Sequence, residues 1–367
     1  MLRAYKFRIY PSKTQDAEMR KHLWLSKELW NELLALSKQM YQDFGYFPSK
    51  NMLQMLAKNN GMHSQAQQAV AHRLYAGTLR FLKLRKQGKD CGFPRFRSFD
   101  RMKSIYYPQS GFSLGKKLKV SPFGEIAIRQ HRDIEGEIKT LALKREASGK
   151  WFVIFTAIEP SRKSRKHNGE AVGIDLGLKT FVALSNGWEI KNPRHLTKQE
   201  ELLKLRQRQL SKKKKRSKNF YKAKKHLAIT HEKVRNARQD FLHKLSKELT
   251  DTYSLIALEK LAPQEMAQEQ LGKSINDAGW GMFAQMLCYK AESAGGNVIF
   301  VNPANTTKMC SCCGNVQEMA LSKRTYECPR CDYIGDRDVN AAKNILIRAT
   351  AGYAGSKACG EDKLCLQ

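Results

Sequence analysis

Along the first residues, Tyr5-Lys6-Phe7-Arg8-Ile9-Tyr10 alternates apolar and basic side chains, the period of a strand with one buried face, and Pro11-Ser12 ends it. Ser12 and Gln15 have the spacing of a capping box, so a helix is predicted to follow, with Leu29, Leu33, Leu36 and Met40 on one stripe. A second helical pattern runs through Val70, Leu74, Phe81 and Leu84. These helices read as an insert over residues 12–92. From Phe93 to Pro160 the pattern shortens to β-like runs punctuated at Ser121-Pro122-Phe123-Gly124 and Ala147-Ser148-Gly149-Lys150, which predicts antiparallel hairpins. With residues 1–11 they read as a small β-barrel over 1–11 and 93–165. Its longest apolar run, Trp151 to Ile158 broken only by Thr156, reads as a buried strand and is far short of the roughly 20 residues of a membrane span.

Residues 160–169, mostly Ser, Arg, Lys and His, read as a linker. A new domain begins at Glu170. Ala171-Val172-Gly173-Ile174-Asp175 is an apolar strand ending in an acid, followed by two further strands, Thr180 to Leu184 and Trp188 to Ile190, around the Asn186-Gly187 turn. That opening is similar to an RNase H-like sheet. Leu255-Ile256-Ala257-Leu258-Glu259 is a second buried strand ending in an acid, while Asn297 to Val301 is an apolar run without one and is expected in the core. A third acidic position lies in Asp336-Arg337-Asp338-Val339-Asn340-Ala341-Ala342, a helix start at which either aspartate could be only a cap. Two strands ending in acids and a helix beginning with one can converge at one sheet edge. Clustered carboxylates are tolerable there mainly when divalent cations neutralise them, and two Mg²⁺ about 3.5–4 Å apart would serve phosphodiester hydrolysis.

Charge narrows the partner. Lysine and arginine number 66 against 34 acids, a net charge of +32 over 367 residues, which collects polyanions. Charge alone leaves open a protein that merely sits on RNA. Between Lys204 and Lys247, 17 bases face only Glu232 and Asp240, on a pattern whose apolar face is Leu227, Val234, Phe241, Leu245 and Leu249. Such a helical hairpin would repel itself unless a polyanion lay along it. The N-terminus scatters charges through its apolar residues, unlike a signal peptide, so a cytoplasmic protein is expected.

Nine cysteines in a reducing compartment point to metal ligands or free thiols. Cys310 and Cys313, then Cys328 and Cys331, are paired Cys-x-x-Cys knuckles with the spacing of a closed, structural Cys₄ zinc site. Cys312 falls outside that spacing. Cys91, Cys288, Cys359 and Cys365 have no such partners and read as free thiols. Residues 351–367 are small and polar enough to be a disordered tail.

These motifs, in this order, resemble the TnpB family of transposon-encoded RNA-guided nucleases, relatives of type V CRISPR effectors. The likeness rests on GIDLG around Asp175, LEKL around Glu259, the paired knuckles and DRDVNAAKNI around Asp338, with YKFRIYPSKTQ and FPRFRSF extending it over nearly the full length. Cys312 departs from a usually polar knuckle position, and the tail is short. The resemblance implies an α+β multidomain fold: a RuvC domain (169–302 and 332–350), a zinc ribbon (303–331), and the barrel carrying its helical recognition insert. It implies Asp175, Glu259 and Asp338 as catalytic, Mg²⁺-holding acids, with Asp338 chosen because the family core reads Asp-x-Asn-Ala-Ala. It also implies a structural Zn²⁺ on Cys310, Cys313, Cys328 and Cys331, a guide RNA from the transposon end and double-stranded target DNA; the sequence leaves the oligomeric state open, with a monomer the expectation. A nuclease-inactive RNA-guided repressor and an RNase H-like transposase are the competing readings; no His-x-His pair with a downstream tyrosine supports a tyrosine nucleophile. Ser64, Gln65, Gln67 and Gln68 could read adenine edges of a short target-adjacent motif or be solvated polar residues.

Overall fold

Strand β1 (Leu2–Tyr10) buries Tyr5, Phe7 and Ile9 on one face, as its alternation requires. The computed structural model describes residues 2–58, 61–160, 169–261, 272–320 and 323–355. These form a mixed α+β protein in two units, Met1–Ser161 and Arg162–Gln367. In the first, β1 pairs antiparallel with β7 (Trp151–Ile158) from Leu2 to Ile9 and with β5 (Gly124–Arg129) at Arg8–Tyr10. Adding β2 (Ser104–Tyr107), β3 (Phe112–Leu114), β4 (Leu118–Val120) and β6 (Glu137–Arg145), the sheet order is β2-β6-β7-β1-β5-β4-β3.

Where a small barrel was expected, the sheet is a half-barrel. Its edges approach through side chains: Tyr107 of β2 donates its hydroxyl to Ser121 O, just past β4, at 2.7 Å, and Phe112 of β3 meets Phe155 of β7 at 6.5 Å between ring centroids. Among the described residues no backbone pairing joins β2 to β3, which are the two edges of the sheet. Helix α1 (Lys13–Phe44) starts at Ser12 with the predicted capping box. With α2 (Lys50–Leu56) and α3 (Ser64–Lys86) it shares one hydrophobic core with the sheet, through Leu23, Leu33, Leu53, Val70 and Leu74. Asn31 pairs reciprocally with the Arg97 backbone at 2.8 and 3.0 Å, and the Arg97 guanidinium lies 3.6 Å over Trp30, so FPRFRSF is strapped to α1.

The second unit is built on β8 (Ala171–Leu176), β9 (Thr180–Leu184), β10 (Glu189–Lys191), β11 (Leu255–Glu259) and β12 (Asn297–Val301), in the order β10-β9-β8-β11-β12. β8, β11 and β12 are parallel; β9 and β10 are antiparallel. β12, expected in the core, is the sheet edge, and only Val301 of it is fully buried. Helices α4 (His195–Ser211) and α5 (Lys218–Thr252) form the basic hairpin, and α6 (Gly272–Ala278) and α7 (Trp280–Ala294) lead into β12. Helix α8 (Arg337–Gly355) lies directly on β8: a Cβ added to Gly173 would sit 2.0 Å from Ala342 O, so only glycine allows this approach. α8 continues past residue 350 to Gly355, into the segment where the disordered tail was expected. The cysteine segment carries a hairpin, β13 (Thr325–Glu327) with β14 (Ile334–Asp336), so it runs beyond the expected limit at 331. Most of the expected linker (161–168), the last part of the expected tail (356–367), and with it Cys359 and Cys365, lie outside the described residues. No helix among the described residues is long and apolar enough to cross a membrane.

Candidate functional site

The register of β8 on β11 runs from Ala171↔Leu255 to Ile174↔Leu258. The next residues, Asp175 and Glu259, therefore stand side by side where two neighbouring parallel strands end. Strands so paired lie about 4.8 Å apart, which forces like charges together. The third acid comes from α8. Asp336 Oδ1 accepts from the backbone N–H of Asp338 and Val339 at 2.8 and 3.0 Å, so Asp336 serves as the helix cap. That leaves the Asp338 carboxylate to line, with Asp175 and Glu259, one cavity of about 840 Å³.

Burial dominates the electrostatics of the acids. Burial, followed by repulsion from Glu259 and Asp338, pushes the Asp175 carboxyl from 3.8 up to about 7, against the opposing pull of Arg337 and the Leu176 N–H. Burial also raises Glu259, opposed by a hydrogen bond from Thr306 and by Arg348. Asp338 is held differently: Arg324 donates to its Oδ2 at 3.1 Å, and Arg337 donates to its Oδ1 from Nε and Nη2 at 3.1 and 3.0 Å. Among the described residues, neither Asp175 nor Glu259 is in an ion pair, and a divalent cation is the group that would relieve both. Lys179 and Arg194 also line the cavity, where a polyanion's phosphates would meet positive charge.

Cys310, Cys313, Cys328 and Cys331 converge, with their sulfurs all within 4.8 Å of one another. Cys310 Sγ lies 3.7 Å from Cys331 Sγ, and Cys313 Sγ lies 3.6 Å from Cys328 Sγ. A tetrahedral ion with bonds of about 2.3 Å places its sulfurs about 3.8 Å apart, so the cluster is compatible with zinc. Cys312 is exposed and outside the group, as its position in the knuckle suggested. Tyr326, fully buried, packs against Cys310 and Cys328.

Sequence reasoning missed three residues at the acid site. Arg337 was visible between two aspartates, but nothing in the sequence assigned it a role. Arg324 and Thr306 carried no signal, because both reach the site across loops from the cysteine segment. In the first unit, Ser64, Gln67 and Gln68 line a second cavity of about 900 Å³ with Asn51, Gln54 and Lys58. Gln67 is buried there and donates to Met62 O at 2.9 Å, so its amide group is already engaged.

The basic hairpin divides in two. Its lower half is packed, with Val234, Leu242, Leu245 and Leu249 buried, and Arg238 of α5 pairs with Asp277 of α6 at 2.6 Å. The tip, from Lys212 to Arg216, is exposed and carries five consecutive bases.

Comparison with known proteins places the chain in a family. Residues 154–270 match the OrfB_IS605 family, described as "Probable transposase", residues 280–345 match a "Cas12f1-like, TNB domain", and residues 1–45 match a "Helix-turn-helix domain". Residues 1–45 here fold as one strand and one long helix. The chain is 31% identical to the "Putative RNA-guided DNA endonuclease" of Streptomyces pristinaespiralis, over 98% of this chain and 91% of that protein. It is 29% identical to the "Putative RNA-guided DNA endonuclease InsQ" of Escherichia coli K12, over 98% and 94%. The "CRISPR-associated endodeoxyribonuclease Cas12f1" of Sulfoacidibacillus thermotolerans is 26% identical over 59% of this chain and 55% of its own length. The near-complete span of the first two relatives, with the acid and cysteine motifs in the family's order, establishes that this chain belongs to the TnpB family of IS605-type transposons.

Proposed function

We propose that this protein is an RNA-guided DNA endonuclease that cuts target DNA beside a short motif, with Asp175, Glu259 and Asp338 as the acids of a RuvC-type, RNase H-like site. The observation that carries the reading is the convergence of three acids from separate elements on one cavity, with Asp175 pushed up to about 7 by burial and by its two acidic neighbours. Divalent cations bound there would activate a water and stabilise the leaving oxygen of a phosphodiester. The chain's own residues do the rest. Asp175 and Glu259, on neighbouring strands, would hold the metal. Asp338 is held by Arg324 and Arg337, whose charges also suit a phosphate group entering the cavity. The cysteine cluster fits a structural zinc that holds the hairpin carrying Arg324.

The exposed tip of the basic hairpin supports a nucleic-acid partner, and such contacts position without specifying sequence. Base pairing to a guide RNA would then supply the specificity, as the names of the relatives suggest. The domain reading proposed with it is a half-barrel and helices in residues 2–160, the nuclease body in 169–302 and 337–355, and the ribbon in 303–336. The decisive experiment is to swap the guide. Protein carrying its RNA is expected to cut DNA that matches the new guide and bears the adjacent motif, and protein without RNA to cut no defined site. A cut site unmoved by the swap would refute RNA guidance. The family description "Probable transposase" keeps one second reading in view, and joining of DNA ends in the same assay would favour it.

A further inference from the structure

One face of α8 has a role beyond presenting Asp338. Asn340, Asn344 and Arg348 fall at i, i+4 and i+8 and so share a stripe. All three reach the segment that runs from β12 into the first cysteine knuckle. Arg348 Nη1 donates to Asn302 O at 2.9 Å and Ala304 O at 2.6 Å. Asn344 Nδ2 donates to Thr306 O at 2.9 Å and Met309 O at 2.6 Å. Asn340 Nδ2 donates to Met309 O at 2.7 Å, while its Oδ1 accepts from Ser311 N at 2.9 Å. Both asparagines are fully buried, and Thr306 is 2% exposed. At the centre of the gripped segment the Thr306 hydroxyl donates to Glu259. Pro303 O also lies 3.0 Å from that hydroxyl, and the Glu259 oxygen is the nearer acceptor.

We infer that Thr306 is a positioning residue for Glu259, itself held by the Asn344 and Asn340 contacts that lock the cysteine knuckle to α8. The inference rests on the reading of Glu259 as a metal-holding acid. A carboxylate ligand needs one oxygen oriented so that the other faces the metal, and the hydroxyl supplies that restraint from a buried, doubly tied loop. The same contacts join the cysteine cluster to the acid site through one helix face, so a disturbance of the knuckle reaches Glu259 by way of Thr306.

The test uses Thr306→Ala and Thr306→Ser. Both lack the γ-methyl, so they differ by one oxygen, and any packing loss is common to both. With guide-loaded protein, Mn²⁺ affinity is read by electron paramagnetic resonance, and cleavage is followed across Mg²⁺ concentration. Thr306→Ala is expected to weaken Mn²⁺ binding and slow cleavage by about 10- to 100-fold, with Thr306→Ser within about threefold of wild type. Equal behaviour of the two variants, whether both near wild type or both impaired, overturns the inference. Asp175→Ala is run in parallel. If it is inactive while Thr306→Ala matches wild type, only the positioning role is lost; if it still cuts, the acid-site reading fails and the inference falls with it.

Discussion

Replacing Asp175 with asparagine should remove cleavage and, in the absence of Mg²⁺, make the protein more stable. The reason is the cost of ionising a carboxyl that burial and two acidic neighbours hold near 7 in place of 3.8. The sign follows from proton linkage. Below 3.8 the group is protonated in both the folded and the unfolded chain, and costs nothing. Between 3.8 and about 7 the unfolded chain has released the proton while the folded one keeps it, so stability falls by about 1.4 kcal/mol per pH unit. Above about 7 the cost is complete, with a ceiling of about 4 kcal/mol. Asp175 keeps partial solvent contact at the cavity wall, which screens the repulsion, so about half that ceiling, about 2 kcal/mol, is the gain expected for Asp175→Asn at pH 8. At pH 5 the expected gain is under about 1 kcal/mol. Urea unfolding of zinc-loaded, guide-free protein, followed by tryptophan fluorescence at both pH values, measures the difference; Trp280 shares the core of β8. Adding Mg²⁺ should then stabilise wild type and leave the variant nearly unchanged. A variant no more stable than wild type at pH 8, or a gain equal at pH 5 and pH 8, would show that the three acids do not strain one another as described.

The two acids at the start of α8 should separate cleanly. Asp336→Ala loses two capping hydrogen bonds and is expected to cost about 1 kcal/mol of stability while cleavage persists; Asp338→Asn should abolish cleavage with guide and DNA binding retained. Loss of cleavage in the first and its retention in the second would reverse the roles. Cys310→Ser should release zinc and lower the melting temperature, whereas Cys312→Ser should do neither; metal analysis of wild type should find about one zinc per chain. Zinc content near zero in wild type would remove the structural zinc from the account.

Much of this protein can be read from local pattern, because strand alternation, capping spacing and knuckle spacing are short-range signals. The alternation over Tyr5 to Tyr10, the Ser12–Gln15 box and the apolar runs ending in Asp175 and Glu259 each correspond to an element that forms where the pattern lies. The two Cys-x-x-Cys pairs announced a cluster because ligand chemistry permits few other uses of that spacing. Other features depended on distant residues. The local helix-start pattern left open which of Asp336 and Asp338 is the cap, and the family resemblance favoured Asp338 for the site; the cap geometry at the start of α8 puts Asp336 on the cap and Asp338 on the cavity wall. β2 and β3 lie at opposite edges of their sheet without pairing, and β12 came to an edge although its composition suited a core; sheet order, which no local pattern encodes, set both outcomes. Arg324 and Thr306 reach the acids only because α8 crosses β8 at Gly173 and grips the cysteine segment, so their role is a consequence of tertiary packing that no local spacing encodes.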